Sequence, residues 1–202
     1  MNKTEILNFE IRRKTFHLCS IIFPILYLFL SKFTMSLFLL LLACFTLYVD
    51  IYRHYDGDIK WLINKFFAKL LRPEEKKSRL SITGSVYMAF GFLISCVFFS
   101  KSLAITSWLI LIISDCCASI IGVHYGHPLP NGKSYIGSLA FFVSAVLISI
   151  LSYFLIGYST NFLIIIISSF LTTLVEFFSK QINVDDNLAI PIIYATATFV
   201  LG

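Results

Sequence analysis

The chain has 202 residues, of which 58% are hydrophobic and only 13% are charged, and its mean hydropathy is +0.86. Soluble domains average about 45–50% apolar and about 25% charged residues, so this composition excludes a soluble globular protein and indicates an integral membrane protein. The net charge of +5 does not indicate a nucleic-acid partner, because the basic residues flank membrane-length apolar segments, where positive charge usually reports topology.

Seven apolar segments are long enough to be predicted as helices that cross ~30 Å of hydrocarbon. They run over residues 16–31, 34–52, 81–99, 103–124, 136–157, 161–179 and 188–202. The first and last segments are short, and the last contains Pro191, so six spans are the alternative. No internal repeat is found, and we expect an all-α fold in a single domain over residues 1–202.

The segment between the second and third spans has a different pattern. In "DGDIKWLINKFFAKLLRPEEKKSR", residues 56–79, apolar side chains recur at helical spacing and three lysines lie between them. This pattern predicts a basic amphipathic helix that lies in the headgroup plane of the membrane.

The distribution of positive charge predicts the orientation. Fourteen of the sixteen Lys and Arg residues lie in the N-terminal segment, in residues 50–80, or at Lys133 and Lys180, whereas Lys32 and Lys101 lie on the other side. This bias predicts a cytoplasmic N-terminus, in a bacterial inner membrane. The polar loops would then face the compartment that supplies nucleotides.

Asp115 lies within the fourth apolar segment, where a carboxylate costs ~2.5–3.5 kcal/mol on insertion scales. Ser119 and Gly122 follow at i+4 and i+7, so the three residues share one helical face. A face with a carboxylate, a hydroxyl and bare backbone is typical of the wall of a polar cavity. The alternative is a structural partner for a polar residue of another helix.

The loop "HYGHPLPNGKS", residues 124–134, suits an anion. Gly126, Gly132 and the following Gly137 allow close backbone approach, Lys133 supplies a cation, and a helix beginning near Ser134 offers free N–H groups. It is not a P-loop, because the required first glycine would fall at His127 and no strand precedes it. An ordinary turn between helices is the alternative.

Further polar residues cluster at the ends of other segments. Glu176 precedes Asp185, Asp186 and Asn187, and with Asp115 they make four carboxylates on one membrane side, which could hold Mg²⁺ together with nucleotide phosphates. Solvated helix ends are the alternative.

Two more motifs precede the spans. In "EIRRKTFH", the spacing predicts a Glu10–Lys14 pair on a face shared with His17, and we interpret Arg12 and Arg13 as a flank that fixes orientation. Arg79 and Thr83 open the third span.

Taken in order, these motifs resemble a known family. They are R-x-x-x-T-G-x-x-Y at 79–87, S-D-x-x-A-S-x-x-G-x-x-x-G at 114–126, N-x-K-S-x-x-G-S at 131–138, and a Glu before D-D-N-x-x-I-P at 185–191. The chain is similar to the dolichol kinase, phytol kinase and CTP-dependent diacylglycerol kinase family, itself distantly similar to phosphatidate cytidylyltransferases. The resemblance implies phosphoryl transfer from CTP, with Mg²⁺, to the hydroxyl of a membrane lipid.

The resemblance also implies roles for residues of this chain. Asp115, Lys133 and Glu176 would be catalytic, with Asp115 or Glu176 as general base. Asp115, Asp185 and Asp186 would hold the metal. The implied nucleotide-binding residues are Ser119, Gly122, Gly126, Lys133, Ser134, Gly137, Ser138 and Asn187. Lys14, His17, Arg79 and Thr83 are further polar candidates, and Arg13 matches the family more loosely.

Two other activities are considered. A phosphatidate cytidylyltransferase would make CDP-diacylglycerol, but its K-R-x-x-G-x-K-D-type signature is missing from the sequence. An ion-coupled transporter would use Asp115 and Glu176 as carriers, but transporters typically show an inverted repeat. The sequence does not distinguish diacylglycerol from an isoprenoid alcohol as the acceptor, nor does it indicate the oligomeric state.

Overall fold

The computed structural model describes residues 10, 11, 13–15, 17–52 and 82–202. Most of these residues are helical, and none of them forms a strand. The all-α fold expected from the sequence is therefore confirmed for this part of the chain. The amphipathic helix predicted within residues 56–79, including Arg79, lies outside the described residues.

The described part of the chain contains eight α-helices, most of them joined by short loops, whereas α4 and α5 are joined by a helical turn. They are α1 (Ile22–Phe29), α2 (Lys32–Tyr52), α3 (Gly84–Phe98), α4 (Lys101–Leu109), α5 (Asp115–Tyr125), α6 (Tyr135–Ile156), α7 (Phe162–Phe178) and α8 (Asp186–Leu201). The described residues within 10–18, here called the N-terminal segment, are also helical. A 3₁₀ turn at Cys19–Ile21 joins them to α1.

Within the described residues, three helical stretches are long and apolar enough to cross a membrane: α2, the continuous stretch Lys101–Tyr125, and α6. Helices α3, α7 and α8 are apolar but shorter, and α1 has eight residues. The structure thus supports an integral membrane protein, while the count of seven spans stays a prediction. Pro191 is accommodated inside α8.

The stretch Lys101–Tyr125 is interrupted by a π-helical turn at Ile110–Ser114, directly before Asp115. A π turn accommodates one extra residue and so rotates the helical faces on either side relative to each other. The faces of α5 therefore cannot be extrapolated from those of α4. Such turns occur frequently at functional sites.

The interior is built around Trp108 of α4. Its ring stacks on Phe92 and on Tyr27, with centroids 4.7 Å and 5.3 Å away, and its indole N–H donates a 2.6 Å hydrogen bond to the Ser95 hydroxyl. The buried Trp thus has its polar atom satisfied. Large apolar side chains such as Leu41 and Phe154 point outward, as expected for a surface that contacts lipid.

The two lysines predicted on the outer side bind helix ends there. Lys101 Nζ donates to the carbonyl oxygens of Leu28 and Leu30 at 2.9 Å and 3.0 Å, and Lys32 Nζ donates to that of Phe99 at 2.9 Å. Carbonyls at a helix C-terminus lack partners within their own helix. The lysines supply those partners and complement the negative end of the helix dipole.

Candidate functional site

A cavity of about 1060 Å³ opens where α5 ends and α6 and α8 begin. Small-molecule sites usually enclose about 300–1,000 Å³, so a nucleotide fits this space. The other walls of the cavity are formed by the N-terminal segment, by α3, α5 and α7, and by the loops after α5 and α7. The sequence-predicted residues that line it are Ser119, Gly122, Gly126, Lys133, Ser134, Gly137, Ser138, Glu176, Asp185 and Asp186.

Lys133 is the centre of a charged cluster in this cavity. Its ammonium pairs with Glu176 of α7 and lies 3.3 Å from Asp186 Oδ2 of α8. Burial by itself would lower the pKa of Lys133, but the carboxylates of Asp186 and Glu176 outweigh it and hold the pKa above its usual value. Lys133 is therefore charged at every physiological pH, and it joins three elements at one point.

The second carboxylate oxygen of Glu176, Oε2, takes no part in the ion pair with Lys133. The side chain is 2% exposed, and Oε2 is buried with no hydrogen-bond partner among the described residues. An unpaired buried carboxylate oxygen is costly, so a ligand that donates a hydrogen bond at this position would be stabilised. A hydroxyl group is such a ligand.

The loop that carries Lys133 is ordered by its own hydrogen bonds. The Leu129 N–H donates to the Lys133 carbonyl at 2.8 Å, and the Lys133 N–H donates to Asn131 Oδ1 at 3.1 Å. Gly132 has φ +78°, which glycine adopts without a steric penalty. The backbone beside Lys133 is consequently fixed by the protein itself.

The glycines at the α5–α6 crossing have a packing function. A Cβ on Gly122 would lie 3.3 Å from Gly137 Cα, and a Cβ on Gly137 would lie 2.8 Å from the Ala118 carbonyl oxygen. Small residues allow such close helix approach in membranes. Gly126 is similarly crowded, because its Cβ would meet Ser134 Cβ at 2.6 Å. These glycines are thus required by the fold, whether or not they also contact a ligand.

Two helix N-termini meet at the cavity. Ser134 caps α6, its hydroxyl accepting from the Gly137 N–H at 3.1 Å, and the positive end of that helix dipole suits an anion. Asp185 caps α8, with Oδ1 accepting from the Asn187 N–H at 2.9 Å and from its side-chain amide at 2.8 Å. Asn187 therefore orients Asp185, and it does not line the cavity.

Asp115 is also outside the cavity lining. Its carboxylate forms a buried ion pair with Lys14, each side chain being 2% exposed. The Cys116 thiol beside it contacts the Lys14 carbonyl at 3.7 Å. The structure thus separates Asp115 from Ser119 and Gly122, which share its helix and do line the cavity.

The remaining sequence candidates lie around this pair. The predicted Glu10–Lys14 pair is wrong: Glu10 instead pairs with Arg13 at 2.7 Å, because Lys14 turns towards Asp115. His17 does not line the cavity, and its Nε2 is buried without a hydrogen-bond partner in the described structure. The Thr83 N–H donates to Asp50 Oδ2 at 2.8 Å, which ties α3 to the end of α2.

Several cavity residues were not singled out by the sequence patterns. Arg13, interpreted as a topological flank, lines the cavity together with Glu10. Tyr87, the last residue of the motif at 79–87, does so as well. The other such residues are Ala118, Val123, His127, Pro128, Ser179, Lys180, Asn183 and Val184, while Gly132, predicted as part of the anion-binding loop, also lines the cavity. Lys180 follows Glu176 by one helical turn, a spacing that would have indicated a shared face.

The donor set is compatible with a magnesium nucleotide. Among the described residues, no three His, Cys, Asp or Glu side chains are grouped as metal ligands. Mg²⁺, however, is commonly held by one or two carboxylates together with substrate phosphates. Asp185 and Asp186 line the cavity and can supply that pair, whereas the Asp115 carboxylate is directed to Lys14.

Comparison with known proteins shows relatives along nearly the whole chain. An uncharacterized protein of Rickettsia prowazekii is 46% identical over 97% of this chain and 96% of its own length. One of Methanocaldococcus jannaschii is 32% identical over 92% and 91%. The CTP-dependent diacylglycerol kinase 1 of Saccharomyces cerevisiae is 31% identical over 91% and 70%. No family model and no solved structure matches the chain.

The apolar helices define an integral membrane protein, and a cavity lined by charged and polar residues lies at one end of them. The chain belongs to the membrane lipid kinase family that includes the CTP-dependent diacylglycerol kinases. The membership of this family that the motifs predicted is therefore confirmed.

Proposed function

We propose that the protein transfers the γ-phosphate of a nucleotide, CTP, to the hydroxyl group of a membrane lipid alcohol. The observation that carries this proposal is the cluster of Lys133, Glu176 and Asp186 in a nucleotide-sized cavity at the ends of the apolar helices. The yeast relative named as a CTP-dependent diacylglycerol kinase supports both the donor and the class of acceptor.

The nucleotide phosphates lie against the N-terminus of α6. Ser134, Gly137 and Ser138 of its first turn line the cavity, and the Ser138 hydroxyl is buried without a hydrogen-bond partner in the described part of the chain. Phosphoryl transfer relies on positioning and charge neutralisation. Lys133, adjacent to this turn, supplies positive charge for the phosphates while the carboxylates beside it keep it in place.

Glu176 acts as the general base. Its Oε1 is held by Lys133, and Oε2 is free to accept the proton of the lipid hydroxyl. A general base must lie within hydrogen-bond reach of the proton that it accepts. The sequence left two candidates for the general base, Asp115 and Glu176. Glu176 is favoured, because it lines the cavity and Asp115 does not.

In this proposal Asp185 and Asp186 would hold Mg²⁺, which would supply positive charge beside the phosphates. Asn187 holds the Asp185 carboxylate in place through its amide, which explains an Asn at that position without direct nucleotide contact.

The reaction takes place at the cytoplasmic face of a bacterial inner membrane. Lys133 and Lys180 are on the cavity side, whereas Lys32 and Lys101 bind helix ends on the opposite side. The excess of Lys and Arg on the cavity side supports a cytoplasmic location for that side. A lipid that enters laterally from the inner leaflet would bring its hydroxyl to this level.

A transfer assay on the purified protein in detergent tests the proposal. The protein receives γ-labelled CTP or ATP with Mg²⁺ and, in separate tubes, diacylglycerol, a polyprenol or phytol. Label in one lipid, with CTP as the better donor and none with Glu176→Gln, is the expected result. Release of pyrophosphate and formation of CDP-lipid from phosphatidate would instead establish a cytidylyltransferase. The absence of both products would reject the lipid kinase.

A further inference from the structure

The N-terminal segment is joined to α5 by a buried charge pair whose two residues do not line the cavity. Lys14 and Asp115 are 101 positions apart in the sequence, and both side chains are 2% exposed. Charged groups are rarely buried to this degree unless they are paired. The pair therefore fixes where the N-terminal segment lies on the bundle.

Arg13, the neighbour of Lys14, lines the cavity. Successive residues of an α-helix point about 100° apart, so Lys14 can enter the bundle while Arg13 points to the cavity. The guanidinium Nη2 contacts Glu10 Oε2 at 2.7 Å, and Nε is buried with no hydrogen-bond partner among the described residues. A guanidinium binds phosphate through two parallel N–H groups, and Nε–H is available for this geometry.

We propose that Arg13 binds a phosphate of the nucleotide and that the Lys14–Asp115 pair positions it. This inference rests on the proposed function for the identity of the ligand. Asp115 is then a positioning residue that acts through Lys14 and Arg13 and does not touch the reacting atoms. It also explains why an aspartate is retained within an apolar helix although it does not line the cavity.

The pair offers a test that separates positioning from chemistry. Removing one member of a buried ion pair leaves an uncompensated charge, whereas replacing both by apolar residues of similar volume is often neutral. If Asp115 acts only through the pair, Lys14→Met and Asp115→Leu should each be harmful and should compensate each other. If Asp115 were catalytic or bound a metal, the double variant would stay inactive.

The experiment uses the full chain in detergent. Deuterium exchange over residues 10–18 reports the docking of the N-terminal segment, and steady-state kinetics report KM for CTP and kcat. We expect each single variant to lose protection and to raise KM about 10-fold or more. In the double variant we expect protection to return and KM and kcat each to come within about 3-fold of wild type. Restored protection with kcat/KM as low as in Asp115→Leu would overturn the positioning role.

Arg13→Ala decides the phosphate contact, because it leaves the ion pair intact even if the pair variants do not fold. Binding of CTP with Mg²⁺, measured without lipid, should weaken about 10-fold, and Arg13→Lys should recover part of the loss. Thr15→Val, at an exposed position of the same segment, serves as the control. Equal CTP binding by wild type and Arg13→Ala would refute the Arg13 contact while leaving the kinase proposal intact. A wild-type protein that neither binds CTP nor transfers phosphate would refute both.

Discussion

The side-chain amide of Asn131 donates a 3.0 Å hydrogen bond to the main-chain carbonyl of Phe177 and thereby ties the loop after α5 to the last turn of α7. Asn131 Oδ1 also accepts from the Lys133 N–H at 3.1 Å. Because Phe177 follows Glu176 directly, one side chain sets the relative position of Lys133 and Glu176. The backbone next to Lys133 and the backbone next to Glu176 are thus both held by Asn131.

Removal of this link should loosen the nucleotide site. For Asn131→Ala we expect a loss of about 1 kcal/mol in the free energy of unfolding and a rise of about 5- to 10-fold in KM for the nucleotide. Asn161→Ala is the matched control, because Asn161 caps α7 at its opposite end with a 3.0 Å bond to the Leu163 N–H. It should lose about as much stability and keep its KM. Equal KM values in both variants would show that the Asn131 link does not order the site.

Glu176→Gln should remove the general base and preserve the shape of the side chain. We expect kcat to fall by about 10²- to 10⁴-fold while CTP binding without lipid is retained, because Asp186 still lies beside Lys133. Kinetics and direct binding measured on one preparation distinguish the two effects. A kcat within a few-fold of wild type would assign the base to another residue.

The charge of Lys133 should not titrate in the working range. Its pKa is raised above the usual lysine value, so its stabilising charge is present at neutral pH and is lost only as the pH rises through that raised value. Arginine keeps its charge throughout. The activity of Lys133→Arg relative to wild type should therefore be constant between about pH 7 and about pH 10. A ratio that climbs with pH would mean that Lys133 deprotonates within that range.

The close crossing of α5 and α6 depends on Gly137. The new methyl of Gly137→Ala would meet the Ala118 carbonyl oxygen at 2.8 Å, so the helices must separate. We expect a loss of about 1–3 kcal/mol in the free energy of unfolding, measured by thermal or denaturant unfolding in detergent. Leu139→Ala, two residues further at an exposed position, controls for a change of size on the same helix. If Gly137→Ala is as stable as that control, the packing argument is refuted.

At the end of the bundle opposite the cavity, Lys101 should matter for stability alone. Lys101→Met leaves the Leu28 and Leu30 carbonyl oxygens without their lysine donor, and we expect it to cost about 1–3 kcal/mol. Lys101→Arg can still donate to both and should recover most of the loss. At temperatures well below unfolding, kcat/KM should match wild type, because the cavity lies at the other end of the bundle. A selective loss of activity in the folded protein would contradict this separation.

The amino-acid sequence by itself determined the helical membrane architecture and about half of the residues that line the cavity. Hydropathy and helical periodicity are local properties, so the positions of α2 and α6 and the face shared by Ser119 and Gly122 could be read without a structure. The loop around Lys133 was recognisable for the same reason, since glycine, proline and lysine mark a turn beside a helix N-terminus. Hydropathy alone did not show that a 3₁₀ turn at Cys19–Ile21 interrupts the first predicted segment, so that α1 covers only Ile22–Phe29.

The tertiary structure alone decided which polar groups pair. Periodicity specifies the face of a helix but not the neighbour against which that face packs, so it suggested Glu10 as the partner of Lys14 when the fold supplies Asp115. The π turn before Asp115 rotated the helical register in a way that regular spacing cannot anticipate. The sequence placed Gly122 on the wall of a polar cavity and Gly137 beside an anion-binding loop; both line the cavity, and the structure shows in addition that they allow α5 and α6 to approach closely. Each of these outcomes depends on contacts between segments distant in the chain, which only the packed bundle brings together.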